Sequence, residues 1–287
     1  MGLLLSTLLA LLAFAGNSLL CRVALRDTGI DAASFTALRI ASGAVMLAAI
    51  AWARARRDGS GPALTGSWAS AGALFTYAAA FSLAYVELST GTGALLLFGA
   101  VQLSMTAWGL WQGERLQATQ WAGLALALSG LVALLLPGLA APPPAAAALM
   151  MGAGVAWGIY SLRGRRAGDP TRATAGNFCR AVPMALALWA AAGAWQGWHV
   201  EPTGAGYAVA SGALASGLGY ALWYAVLPRL RAATAATSQL AVPALAAAGG
   251  AVLLGEPLSW RLALSSAVLL GGIALVIRTG TARPAFR

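Results

Sequence analysis

The segment Gly113-Glu114-Arg115-Leu116 recurs as Gly255-Glu256-Pro257-Leu258, 142 residues later. The same offset carries Gly16 onto Gly158, Leu88 onto Leu230, Thr92 onto Thr234, Ala94 onto Ala236 and Gly130 onto Gly272. A self-match held at one spacing marks an internal duplication. Whatever one copy folds into, the chain must build twice.

Each copy holds five apolar segments. They run approximately Leu3–Cys21, Ala32–Ala53, Ser67–Val86, Gly91–Trp111 and Ala118–Leu136, then Ala145–Leu162, Ala173–Trp195, Gly204–Leu227, Thr234–Leu254 and Leu262–Ile277. About 20 residues of helix cross a hydrocarbon core of roughly 30 Å. Only 9% of the residues are charged and 60% are hydrophobic, against about 25% charged in a soluble domain. No alternating strand pattern suggests a barrel. The expected fold is therefore an all-α polytopic membrane protein. An odd number of spans per copy inverts the second copy, so the ten transmembrane helices form two inverted five-helix repeats around a central cavity, residues 1–137 and 145–287. The Pro-rich stretch 138–144 links them. Inverted repeats of this kind place a substrate site between the halves near the bilayer midplane.

All 18 basic residues are arginine, and the net charge is +10. They sit in short loops beside apolar segments rather than in a patch, which argues against nucleic-acid binding. With ten spans, thirteen fall on the face that holds both termini and three (Arg22, Arg26 and Arg261) on the other. The positive-inside bias then puts both termini in the cytoplasm of a bacterial inner-membrane protein. Met1-Gly2-Leu3-Leu4-Leu5-Ser6 fits a myristoylation pattern and Ala13-Phe14-Ala15 a cleavage site. No basic stretch precedes them and the apolar run continues to Leu20, so a first transmembrane helix is expected. Cys21 and Cys179 fall on different segments and read as small apolar residues, not a disulfide.

Polar and aromatic side chains at midplane depth are the candidate site. Amides and phenols are costly against lipid and should face the bundle interior or a cavity. The candidates are Asn17; Tyr77 and Phe81, one turn apart; Phe98 and Gln102, again spaced by four; Trp157 and Tyr160; Tyr220 and Trp223; and Gln239. Such rings and donors suit an amphipathic, often aromatic, small molecule. Trp52, Trp68, Trp111, Trp121, Trp195, Trp198 and Trp260 lie at span ends, as an interfacial belt requires. Gly152, Gly154, Gly158, Gly212, Ser216, Gly219, Gly249 and Gly250 allow close helix approach. Pro183 and Pro243 lie deep in the seventh and ninth segments and can kink them.

Arg39 and Arg180 are near-equivalents in the two copies. Either can hold a substrate carboxylate, or tie down backbone carbonyls. Asn177, one turn before Arg180, keeps the first option open there. Glu114 and Glu256 each end a helix and are expected to cap the next turn. The eight acidic residues all lie at segment ends or in loops, and His199 is external, so a buried proton relay has no support. No nucleotide-binding loop, metal-ligand cluster or catalytic triad appears.

The two copies resemble the EamA repeats of the drug/metabolite transporter superfamily. The likeness rests on the paired Gly-Glu-x-Leu corners, the glycine-bearing last helices (Gly130, Gly272), the Ala15-Gly16 and Trp157-Gly158 starts, and the early Arg39 and Arg180. Within that superfamily, the Trp157–Tyr160 segment and Tyr220-Ala221-Leu222-Trp223 are similar to bacterial aromatic amino acid exporters. The resemblance implies a cavity built from spans one to four and six to nine, with five and ten peripheral. It also implies export of aromatic and other neutral amino acids. The reading as a whole is an alternating-access exporter, a monomer in contact with membrane lipid and small-molecule substrate, with no cofactor. Export of drugs or other metabolites is the alternative; a lipid-modifying membrane enzyme is a distant third.

Overall fold

Among the described residues ten long helices follow one another in the order that the apolar segments predict. The computed structural model describes residues 2–59, 64–113, 115–138, 141–164, 168–226, 229–230 and 238–280. Glu114, Thr234, Ala236, and Arg165, Arg166, Arg231, Arg283 and Arg287 lie outside the described residues, as does part of the linker. The helices are α1 (Leu3–Asp27), α2 (Ala32–Arg57), α3 (Trp68–Tyr85), α4 (Thr90–Trp111), α5 (Ala118–Leu135), α6 (Pro144–Gly164), α7 (Pro170–Gln196), α8 (Pro202–Val226), α9 (Ala241–Leu254) and α10 (Trp260–Gly280). All except α3 and α9 are long and apolar enough to cross a membrane. All seven tryptophans at segment ends are exposed on the outer surface.

Local chemistry fixes the helix ends. Pro144 closes the expected linker but opens α6, where its missing N–H costs nothing. Asp31 caps α2 by accepting from the Ser34 backbone N–H at 2.8 Å. Burial pushes the Asp31 carboxyl up, but hydrogen bonds from Ser34, His199 and Ala33 outweigh it and hold it below the usual carboxylate range. The two corner glycines both adopt left-handed backbone, Gly113 at φ +89° and Gly255 at φ +63°. Only glycine takes that conformation freely, which explains why both copies retain it.

Two helices depart from regularity. α8 is π-helical from Ser211 to Leu218, and Pro183 lies inside α7. Pro243, expected deep in its span, sits instead in the first turn of α9. Helix at 238–239 breaks into a turn at Leu240 before α9 begins. The proline ring would clash with the carbonyl of residue 239, so a continuous helix there is disfavoured.

Helix neighbours come in matched sets. α1 lies against α8 and α9, as α6 lies against α3 and α4; α2 packs on α7, α4 on α9 and α5 on α10. The α5–α10 crossing is backbone-close. A Cβ on Gly272 would come within 2.5 Å of the Ala127 amide nitrogen and the Gly123 carbonyl oxygen, and one on Gly130 within 2.7 Å of the Leu269 nitrogen. Thus the glycines shared by the two copies bring α5 and α10 together at the edge of the bundle.

Candidate functional site

The cavity sits where the two halves meet. Phe14, Asn17 and Ser18 from α1, Tyr77 and Phe81 from α3, and Leu97 and Phe98 from α4 form one wall. Trp157 from α6, Ala215, Ser216 and Tyr220 from α8, and Gln239 just before α9 form the other. In the expected five-helix repeats these helices are counterparts. α2 and α7, expected among the walls, contribute no lining residue and pack on each other behind them. The cavity and the open space at its mouth together hold about 450 Å³, yet its interior has room for only about two to three waters. It must widen to accept an amino-acid-sized molecule.

The aromatic lining is continuous. Tyr77 lies 4.8 Å from Trp157 and 5.4 Å from Phe81, ring centre to ring centre, and Trp157 lies 5.3 Å from Tyr220. Phe14 extends the row, 5.8 Å from Tyr220. Such tilted contacts are favourable beyond the area they bury. A polar chain runs alongside: Ser211 donates to Asn17 Oδ1 at 2.7 Å, and Asn17 Nδ2 donates to the Tyr77 hydroxyl at 3.4 Å. Arg39 Nη2 donates to the same hydroxyl at 2.9 Å. The chain crosses from α8 through α1 and α3 to α2, and so joins the halves.

Of the twelve expected site residues, the structure brings seven together on this wall: Asn17, Tyr77, Phe81, Phe98, Trp157, Tyr220 and Gln239. The other five lie elsewhere. Gln102 is half-buried one turn beyond Phe98. Trp223 packs in a separate cluster with Ala10, Leu11 and Val242. The Tyr160 hydroxyl pairs with Thr174 at 3.4 Å and Asn177 at 3.5 Å. Asn177 Oδ1 accepts from the Ser67 backbone at 2.9 Å, and Arg180 Nη1 donates to the Thr65 and Gly176 carbonyls at 2.9 Å. Arg180 thus ties down carbonyls at one end of the bundle, whereas its counterpart Arg39 lies deep inside it. Phe14, missed from sequence, is three residues before Asn17 and shares its helix face.

Glu256 does not cap its own next turn. It accepts from Arg22 Nε at 3.2 Å and from the Thr90 backbone N–H at 2.8 Å, so it caps α4 of the other half, where a helix N-terminus favours an anion. Nearby, Gly29 N–H donates to Glu201 at 2.6 Å, and Asp31 and His199 exchange hydrogen bonds of 2.9 and 3.1 Å. At the opposite end, Arg54 donates to Thr171 at 2.8 Å and Arg163 to Ser70 at 3.0 Å. Both ends of the cavity are tied between the halves.

Comparison with known proteins places this architecture. Residues 144–278, which begin at the first residue of α6, match the EamA-like transporter family. An uncharacterised protein of Pseudomonas aeruginosa, PA1977, is 56% identical over 98% of this chain and 96% of its own length. The threonine/homoserine exporter RhtA of Escherichia coli K12 is 39% identical, over 39% of this chain and 38% of its own. A solved crystal structure covering 94% of this chain and 96% of its own superposes with a TM-score of 0.66 at 23% identity, which speaks to the fold alone. The chain therefore belongs to the same family as PA1977 and is a multi-pass membrane protein whose second half is an EamA-like transporter domain of the drug/metabolite transporter superfamily.

Proposed function

We propose that this protein is a secondary transporter that exports neutral amino acids, aromatic ones included, across the bacterial inner membrane. The observation that carries the reading is the cavity itself. It is walled by counterpart helices of both halves, lined by aromatic rings with a few amides and hydroxyls, and tied across at both ends. Rings hold the apolar part of a substrate, while Asn17, Ser216 and Gln239 offer groups to its polar end. Rocking of two inverted halves, residues 1–137 and 145–287, exchanges which end is tied, with both termini on the cytoplasmic side and one chain as the working unit. The RhtA similarity supports amino acids over other cargo of the superfamily.

Counterflow in proteoliposomes tests the proposal. Vesicles loaded with unlabelled threonine or phenylalanine are expected to accumulate the labelled amino acid saturably. Absence of saturable accumulation for every neutral amino acid tried would reject it.

A further inference from the structure

Arg39 is the one cation placed deep in the bundle among the described residues, and it is only 2% exposed. Its guanidinium lies over the rings of Tyr77 (5.2 Å) and Phe81 (4.8 Å), both of which line the cavity. Nη2 donates to the Tyr77 hydroxyl, but Nη1 has no hydrogen-bond partner. Its ionisable neighbours are Tyr77, Tyr220 and Cys21. The ion pairs of the described residues join Arg22 to Glu256, Arg26 to Asp27 and Arg172 to Asp169, all at helix ends. A desolvated charge with an unmatched donor is expensive and persists in membrane interiors mainly where it serves a substrate or ion path. Arg180, its counterpart, shows the alternative: its donors are spent on carbonyls. Arg39 keeps its fork open, with one arm on a weak neutral acceptor and the other free.

We propose that Arg39 is the carboxylate anchor of the cavity, and that the cavity selects cargo by its carboxylate rather than by its ammonium group. The inference rests on reading this cavity as the substrate site. A planar guanidinium takes a carboxylate through two parallel N–H donors. In the contracted cavity the Tyr77 hydroxyl stands where one carboxylate oxygen belongs. As the cavity widens and the Tyr77 ring turns, Nη1 and Nη2 both become available. No described carboxylate lies on the wall to pair with an ammonium, so that group is left to ring faces and amide oxygens. Monocarboxylates that lack an ammonium group are therefore ligands too.

The test uses the purified full-length protein in detergent and reads ligand-induced thermal stabilisation by four probes with one side chain: phenylalanine, 3-phenylpropionate, phenylalaninamide and phenethylamine. The two acids are expected to stabilise the protein at concentrations at least about tenfold lower than the amide and the amine. R39K retains a charge but not the fork, and is expected to lose that preference. Y77F frees Nη2 and is expected to bind the acids at least as tightly as the unaltered protein. An amide as effective as the acid, no stabilisation by any probe, or loss of acid binding in Y77F but not in R39K would overturn the assignment. Where R39K yields no folded protein, the acid-over-amide preference of the unaltered protein decides. Counterflow on the same preparation separates the two readings. An acid preference without counterflow rejects transport alone. Counterflow inhibited equally by amide and acid rejects the Arg39 anchor alone.

Discussion

Trp157 is the ring on which the cavity's aromatics converge: the lining rings of Tyr77 and Tyr220 lie within 5.3 Å of its centre, as does Tyr160 from behind the wall. It is only partly buried, so its remaining face is available to a ligand. A ring that packs and also lines a site loses both contributions on truncation, and each aromatic pair is worth about 0.5–1.5 kcal/mol. Trp157→Ala is expected to lower counterflow by about tenfold or more while the yield of monodisperse protein is unchanged. Unchanged counterflow would assign Trp157 to packing. Spacing identifies one pair of this lining, Tyr77 with Phe81; Phe98, Trp157 and Tyr220 are legible by residue type and midplane depth, while their spaced partners Gln102, Tyr160 and Trp223 lie off the wall. Arg39 and Arg180 mark the limit of that reading. They match in type and lie one residue off the repeat spacing, and the rotation of each helix against its neighbours separates an open guanidinium in the core from one that ties carbonyls near the bundle's end.

At the scale of the element, the features shared by the two copies divide from those that differ. Gly130 and Gly272 serve the α5–α10 crossing, which contributes nothing to the cavity wall. Adding a methyl group at Gly272 puts it against backbone, which cannot rotate aside, and overpacking of this sort costs about 1–3 kcal/mol. Gly272→Ala should therefore lower the thermal midpoint in detergent by several degrees and leave the KM for counterflow unchanged. A shifted KM at an unaltered midpoint would place α10 in the substrate path. Helix number and order were legible because apolar length is a strong signal. The irregularities beside the cavity were not. The π-helical stretch of α8 brings Gly212 to within a missing Cβ of the Arg39 carbonyl, a tertiary accommodation with no period of its own. The break at Leu240 depends on where α9 resumes, which Pro243 alone does not set.

Among the described residues the halves are tied to each other at both ends, and the two sets of ties differ in kind. One end carries charge: Glu256 holds Arg22 and the N-terminus of α4, and Arg22 in turn donates to the Tyr85 and Val86 carbonyls at 2.9 and 2.8 Å. The other has neutral acceptors: Thr171 and Ser70 accept from Arg54 and Arg163, and Asn177 accepts from the Ser67 backbone. A carboxylate nearly buried between two donors is worth more than its Coulombic pairing alone, since removing it strands both donors. Hydrogen bonds to charged groups contribute about 1.5–3 kcal/mol each, enough to move a two-state population by about tenfold or more. Neutralising Glu256 should therefore favour the form open at its own end. If the thirteen-to-three arginine split orients the chain, that end faces outward. The measurement is labelling of a cysteine at cavity position 18 by a membrane-impermeant maleimide added to intact cells, with Cys21 and Cys179 replaced by serine. Glu256→Gln should raise the labelling rate about tenfold. Asn177→Ala, which loosens the opposite end, should not raise it. An unchanged rate in Glu256→Gln would show that this tie does not gate the cavity, and a rise confined to inverted vesicles would reverse the orientation.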